Sequence, residues 1–332
     1  MMKRLYNYLV INLLLVLLVS CGTDPEPEIF PNRSVGEVES FPISDMVSDP
    51  SQCKRIFVSE DEVYFYLSTY DESMSELAAY DLQTGTKREV SLSVDGDDEF
   101  YSRSAELQIL LSGLQTRSSS SPVNSCWLNG KGYVVGTEYT YIYSKDTDVW
   151  SFVQNDGSID YFDPYNASNA VAVGDLMVQI TSSDMYTLSL TDYRWNKLPM
   201  THDFMLNGKS KLYTDGEAIY ALDRKERLLY VYNGESNLWK EYMSIDNQIF
   251  PDETIGDILI NGDTYYLFLN YSFYILEYNL KNKSYTIINT DALASNFFYG
   301  EWEQYYLFNV GNTCYGLFFD GTGARLMKFN LK

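Results

Sequence analysis

A tight-turn dipeptide returns through this chain at nearly equal intervals, and that periodicity constrains the fold more than any single residue does. It stands at Asn129-Gly130, Gly174-Asp175, Asp215-Gly216, Asn261-Gly262 and Gly311-Asn312, with the glycines 44, 42, 46 and 49 residues apart. Asn-Gly and Asp-Gly tolerate positive φ at both turn centres, which suits a two-residue β-hairpin. An apolar or aromatic strand follows each turn: Tyr133-Val134-Val135, Met177 to Ile180, Ile219 to Leu222, Tyr265 to Phe268 and Cys314 to Leu317. Glu60-Asp61 followed by Val63-Tyr64-Phe65-Tyr66 is an earlier copy.

A second marker gives the same count independently. Tyr143 and Trp150, Leu188 and Trp195, Tyr232 and Trp239, and Tyr278 and Tyr285 all stand seven positions apart, as do Tyr80 and Lys87. A tyrosine or its equivalent ends one strand, a polar turn follows, and an aromatic opens the next strand. Four strands per unit and a period of about 40 to 50 residues predict an all-β fold, a six-bladed β-propeller of four-stranded antiparallel blades. The composition agrees, because 30 Tyr, 17 Phe and 5 Trp form a strand-favouring palette. The Tyr-x6-Trp spacing, the four-strand unit and the Asn-Gly turn resemble kelch repeats over nearly all of Val35 to Lys332. The Gly-Gly pair usual after the second strand of a kelch blade is hinted at only by Gly136.

The last copy stops at Phe329-Asn330-Leu331-Lys332, before a fourth strand. Val38-Glu39-Ser40-Phe41-Pro42 lines up with Trp195-Asn196-Lys197-Leu198-Pro199, so an N-terminal strand is expected to close the ring. One interval is long: Tyr80 to Tyr143 is 63 residues, with the excess at about 92–122. It contains Asp95 to Glu99, a helix expected over Ser104 to Gln115 and a serine run from Ser118 to Ser121. It reads as an insertion on a loop, where propellers acquire function.

The chain opens with Met1-Met2-Lys3-Arg4, then an apolar run from Leu9 to Val19, then Leu18-Val19-Ser20-Cys21. This reads as a signal peptide over residues 1–20 ending in a lipobox, with Cys21 the lipidated residue. Residues 21–33 are an acidic, Pro-rich spacer and residues 34–332 the propeller domain. Asp24, Glu26 and Glu28 after the cysteine resemble the surface-export signal of some Gram-negative lipoproteins. The expected location is therefore the bacterial outer membrane, lipid-anchored and facing the cell surface. Removing Lys3 and Arg4 with the leader takes the net charge from −22 to −24. That field repels polyanions, so nucleic acid is not an expected partner. Cys53, Cys126 and Cys314 remain, an odd number with no CxxC, and read as three buried small hydrophobes.

Catalytic signatures are sparse. His202 is the only histidine, and the kelch-type copper oxidase chemistry of galactose oxidase needs two. No Gly-x-Ser-x-Gly elbow accompanies it. Asp95, Asp97, Asp98 and Glu99 lack EF-hand spacing. No metal and no cofactor are expected. In a propeller the connections between strands two and three, and between strand four and the next blade, leave from one end. On that end the sequence places aromatics among carboxylates: Tyr139, Tyr161, Phe162, Tyr165, Phe250, Tyr271, Phe298, Tyr299 and Trp302. Such rings suit sugar C–H faces or a protein interface. The reading is a non-catalytic binding module for glycan or an envelope protein. The alternatives are a carbohydrate-active propeller enzyme, of epimerase, mutarotase or lyase type, and a scaffold subunit. The enzyme would use pairs such as Asp160 with Asp163 or Glu253 with Glu301, and Arg103, Arg224 or Arg325 for an anionic sugar.

Overall fold

The computed structural model describes residues 33–44, 53–69, 74–96, 102–112, 125–136, 138–156, 169–180, 184–199, 211–223, 226–234, 236, 238–244, 255–269, 274–294, 306–310, 313–319 and 324–331. Six four-stranded antiparallel sheets follow one another along the chain, and they are the blades of a propeller. Blade 1 holds Cys53–Val58, Glu62–Ser68, Ser75–Asp81 and Lys87–Val90. Blade 2 holds Ser125–Leu128, Lys131–Val135, Tyr139–Ser144 and Val149–Gln154. Blade 3 holds Val171–Val173, Leu176–Ile180, Asp184–Ser189 and Trp195–Pro199. Blade 4 holds Leu212–Thr214, Ile219–Asp223, Leu228–Asn233 and Leu238–Ser244. Blade 5 holds Ile255–Asn261, Thr264–Leu269, Tyr274–Asn279 and Ser284–Asn289, and Arg33–Ser34 runs parallel along its last strand. Blade 6 takes Tyr306–Val310, Thr313–Phe319 and Ala324–Phe329 from the C-terminus and Val38–Ser44 from the N-terminus.

The sequence pattern explains which strand sits where. Second strands are covered on both faces by neighbouring blades, so Glu62–Ser68 (EVYFYLS) is a nearly unbroken buried run. Outer strands face solvent on one side, and Leu238–Ser244 (LWKEYMS) buries only Trp239 and Met243. Six apolar clusters fill the six seams between adjacent blades, one per seam. Cys53, Cys126 and Cys314 are unbridged and buried among them, as expected of small hydrophobes. Burial pushes the Cys126 and Cys314 thiols up to about 12, which keeps them protonated and unreactive.

The seven-residue marker is the opposed pair of the outer hairpin. Tyr143 faces Trp150, Leu188 faces Trp195, Tyr232 faces Trp239, Tyr278 faces Tyr285 and Tyr80 faces Lys87. Two residues before the second member of the pair, φ is positive at Gly85, Asp148, Tyr193 and Lys283. Three of these are not glycine, so no turn residue advertises the conformation. The inner turns are less uniform than the dipeptides suggest. Asn129 and Gly130 are both at positive φ, as expected. In blade 5, Asn261 instead pairs with Thr264, so the turn is Gly262-Asp263. Gly311-Asn312 lies outside the described residues, between Val310 and Thr313, which pair.

The ring closes where the alignment placed it. Val38 pairs with Phe329, the position that Trp195 takes opposite Leu188, and the pairing runs on to Ser44 with Ala324. Gly85, in the outer hairpin turn of blade 1, abuts this strand at φ +69°, and a Cβ there would lie 2.3 Å from Phe41 Cδ1. Gly85→Ala is therefore expected to lower stability by about 1–3 kcal/mol. Denaturant melts would show that loss, and a wild-type midpoint would mean the closing strand does not bear on this turn.

Candidate functional site

Antiparallel strands alternate in direction, so the connections between strands two and three, and those leading to the next blade, share one end of the ring. Eight of the nine expected face residues lie outside the described residues: Tyr161, Phe162, Tyr165, Phe250, Tyr271, Phe298, Tyr299 and Trp302. So do His202, Asp160, Asp163, Glu253, Glu301, Arg224 and Cys21. The flanking strands confirm the type of each connection. Tyr161 to Tyr165 join blade 2 to blade 3, Phe250 joins blade 4 to blade 5, and Phe298 to Trp302 join blade 5 to blade 6. Tyr271 lies between the second and third strands of blade 5.

Tyr139 is described, and it is not an open stacking surface. The Arg103 guanidinium lies 3.8 Å from its ring centroid and 5.3 Å from that of Phe152. Tyr139 and Phe152 meet edge to face at 5.8 Å. Arg103 is also paired with Glu106 at 2.7 Å. Arg103 thus belongs to a helix rather than a loop: α1 covers Arg103–Ser112, starting one residue earlier than expected, while Gln115 lies outside the described residues. Ser102 sets that start as the N-cap, its Oγ accepting the Ala105 N–H at 3.1 Å. Arg325 is in a strand, and its Nη1 donates to Ser40 Oγ at 3.5 Å.

Within the insertion, α1 is built into the core. Leu107 and Leu111 are fully buried in the seam between blades 1 and 2. Leu110 packs on Gly136, where a Cβ would stand 3.1 Å from its Cδ1. At the helix C-terminus, Lys54 Nζ donates to the Ser112 carbonyl, placing a cation where the helix dipole is negative. Lys54 is the second residue of the innermost strand of blade 1, so the C-terminus of α1 stands at the connection end of the ring.

Sequence reading missed the polar groups of the innermost strands, which tie neighbouring blades together. Arg55 Nη1 donates to the Leu307 carbonyl at 3.0 Å across the blade 6–1 seam, with its guanidinium 5.4 Å from the Phe308 ring. Ser125 Oγ donates to the Ile56 carbonyl across the blade 1–2 seam. Asn169 exchanges two 2.8 Å bonds with Leu212 between blades 3 and 4. Lys211 pairs with buried Asp257 at 3.1 Å between blades 4 and 5. A polar residue at or just before a first strand is the only sequence signal these share.

Below α1, at the hairpin end of the same seam, lies an ionic network. Glu62 accepts two 2.9 Å bonds from Arg88, one of 2.7 Å from Tyr64 Oη, and pairs with Lys145 at 3.1 Å. Lys145 also holds both oxygens of Asp61 at 2.7 Å. Tyr143 donates to Asp148 at 2.6 Å and accepts from Arg88 at 3.2 Å. Burial pushes the Glu62 carboxyl up, but the bonds from Arg88, Tyr64 and Lys145 outweigh it and hold it down at about 2. Among the described residues no three His, Cys, Asp or Glu side chains group as a metal site. The arrangement supplies a rigid platform at the blade 1–2 seam.

No protein-family model matches the chain, and no curated protein matches it in sequence. Solved structures resemble it in shape at low identity. The Neurospora crassa Pan2 WD40 domain is 8% identical with a TM-score of 0.48, covering 92% of this chain and 98% of its own. A luciferin-regenerating enzyme is 9% identical with a TM-score of 0.49, over 89% of this chain and 95% of its own. An oligogalacturonate lyase in complex with manganese is 8% identical with a TM-score of 0.45, over 91% and 99%. The propeller itself rests on the strand pairing above.

The Glu62 carboxyl is depressed in the fold, so its contribution to stability is complete above about pH 4.5 and lost as pH falls through about 2. Its side chain is 10% exposed, so the contribution is up to about 3 kcal/mol. Denaturant titrations of wild type and Glu62→Gln from pH 6 to pH 2 should therefore converge toward the acid end. A gap independent of pH would show that Glu62 is not held ionised by this network.

Proposed function

We propose that this chain is a lipid-anchored envelope protein whose propeller acts as a non-catalytic recognition module, with its binding face at the connection end of the ring. The observation that carries the reading is the inserted helix. The inserted helix buries two leucines in a blade seam and clamps Arg103 on Tyr139. A packed helix on the end that carries the aromatic connections is what a preorganised binding face requires. Glycan or an envelope protein is the expected ligand class, because Tyr161, Phe162, Tyr165, Phe250, Tyr271, Phe298, Tyr299 and Trp302 interleave with carboxylates there. The opposed Tyr-x6-Trp pairs support a divergent kelch-like repeat. The lipobox supports anchoring through Cys21, and the acidic residues after it support display on the cell surface.

Two measurements test this reading. Full-length protein carrying Tyr161→Ala and Trp302→Ala should keep the wild-type melting temperature and lose at least tenfold in capture on a glycan array or by an envelope-extract partner. Undiminished capture would place the site elsewhere. Cys21→Ala should abolish metabolic labelling by palmitate and release the protein from the membrane fraction, and retention of both would refute the anchor.

A further inference from the structure

The outer hairpins of blades 1, 2, 3 and 5 pair without a slip, whereas that of blade 4 does not. Leu229 faces Met243 and Tyr230 faces Glu241, which leaves Tyr242 as the extra, unpaired residue of a β-bulge. Strand alternation would send Tyr242 and Met243 to opposite faces of the blade. Tyr242 alternates with Glu241 onto the blade 5 face, and the bulge brings Met243 to that face as well, where Met243 is buried in the seam and Tyr242 remains 41% exposed. Bulges re-aim side chains in this way, and at a cost to the ladder.

Tyr242 does not hang alone in solvent. Its ring centroid lies 5.3 Å from that of Tyr220 in its own blade and 6.3 Å from that of Tyr265 in blade 5. Tyr220 and Tyr265, themselves 6.3 Å apart and edge to face, are buried. Tyr265 Oη is 3.5 Å from Tyr242 Oη, and Tyr220 Oη donates to Asp215 Oδ2 at 2.7 Å. Asp215 is fixed in turn by the Glu217 and Ala218 N–H groups on its other oxygen, at 2.9 and 2.8 Å. Asp215 sits in the connection between the first two strands of blade 4, so this cluster lies toward the hairpin end, away from Tyr139 and α1.

We infer that Tyr242, backed by Tyr220, Tyr265 and Asp215, is a second binding site that takes a neutral saccharide. The chemistry favours a sugar over an ion. A half-exposed flat ring offers an apolar surface to the C–H face of a pyranose. The Tyr242 hydroxyl can donate and accept, and the exposed Asp215 carboxylate accepts, matching the hydroxyl groups of a sugar. The supporting rings hold Tyr242 at a fixed tilt, so little side-chain freedom is left to lose on binding. This inference stands apart from the proposed face at the other end.

The test is a neutral-saccharide array probed with full-length protein as wild type, Tyr242→Ala, Tyr242→Trp and the Tyr161→Ala/Trp302→Ala double variant, with melting temperatures for each. The expected result is at least one neutral saccharide, distinct from any glycan the double variant loses, whose binding falls at least tenfold in Tyr242→Ala, persists in Tyr242→Trp, which keeps a flat ring, and is unchanged in the double variant. A silent wild type would overturn the saccharide assignment. Binding that survives Tyr242→Ala, or is lost only in the double variant, would overturn the site and leave the sugar to the opposite face.

Discussion

Everything in this molecule depends on one antiparallel pairing, that of Val38–Ser44 with Ala324–Phe329. A propeller is a closed ring, and each blade buries its two faces against its neighbours. Were the last blade left with three strands, its third strand would present an open row of N–H and C=O groups. The N-terminal strand satisfies that row and brings Ile43 into the seam shared by blades 6 and 1. The same seam is locked near the axis by Arg55 on the Leu307 carbonyl. Contacts nearly the whole chain apart in sequence thus hold the ring shut, with Arg33 on Glu277 securing the approach to the closing strand.

The ring is regular, but its seams are not equal. The blade 1–2 seam gathers the inserted helix, the rings of Phe57, Tyr64, Trp127, Tyr143 and Trp150, and the Glu62–Arg88–Lys145 network. Gly132 shows how tightly it is filled: a Cβ there would lie 2.5 Å from Phe57 Cζ. Apolar packing in the middle is capped by cation–π stacking at one end and paired charges at the other. The blade 4–5 seam differs, because Tyr242, beside the bulge of the outer hairpin, lies half outside the core. Register also slips in the innermost pairs of blades 1 and 5 and in the closing pair of blade 6, so the repeat is kept by the packing of the seams rather than by identical ladders.

Much of the architecture was legible in the sequence because propeller blades are built from local hairpins. A cross-strand pair such as Tyr143 and Trp150 lies seven residues apart along the chain, so the tertiary repeat is also a sequence repeat. Even the nonlocal closing strand could be aligned to the residue, since Val38 stands where the missing partner of Phe329 must be. Tyr139 was legible as an aromatic at a connection but not as a ring already covered, because its partner Arg103 comes from an insertion with no period. Tyr242 carried no signal at all: a bulge depends on backbone register, and the strand LWKEYMS reads equally well without one.

Periodicity, turn chemistry and the count of copies by themselves determined an all-β ring of six four-stranded blades closed by the N-terminus, because each of those features is encoded within about fifty residues. Tertiary structure alone decided which side chains meet across the seams. Arg55 reaches Leu307, Lys54 reaches the end of α1, Lys211 reaches Asp257, and Tyr242 lies over Tyr220 and Tyr265. Most of those contacts join residues of different repeats, and Tyr242 meets Tyr220 across strands that are not adjacent in the blade. No pattern within one repeat can specify either.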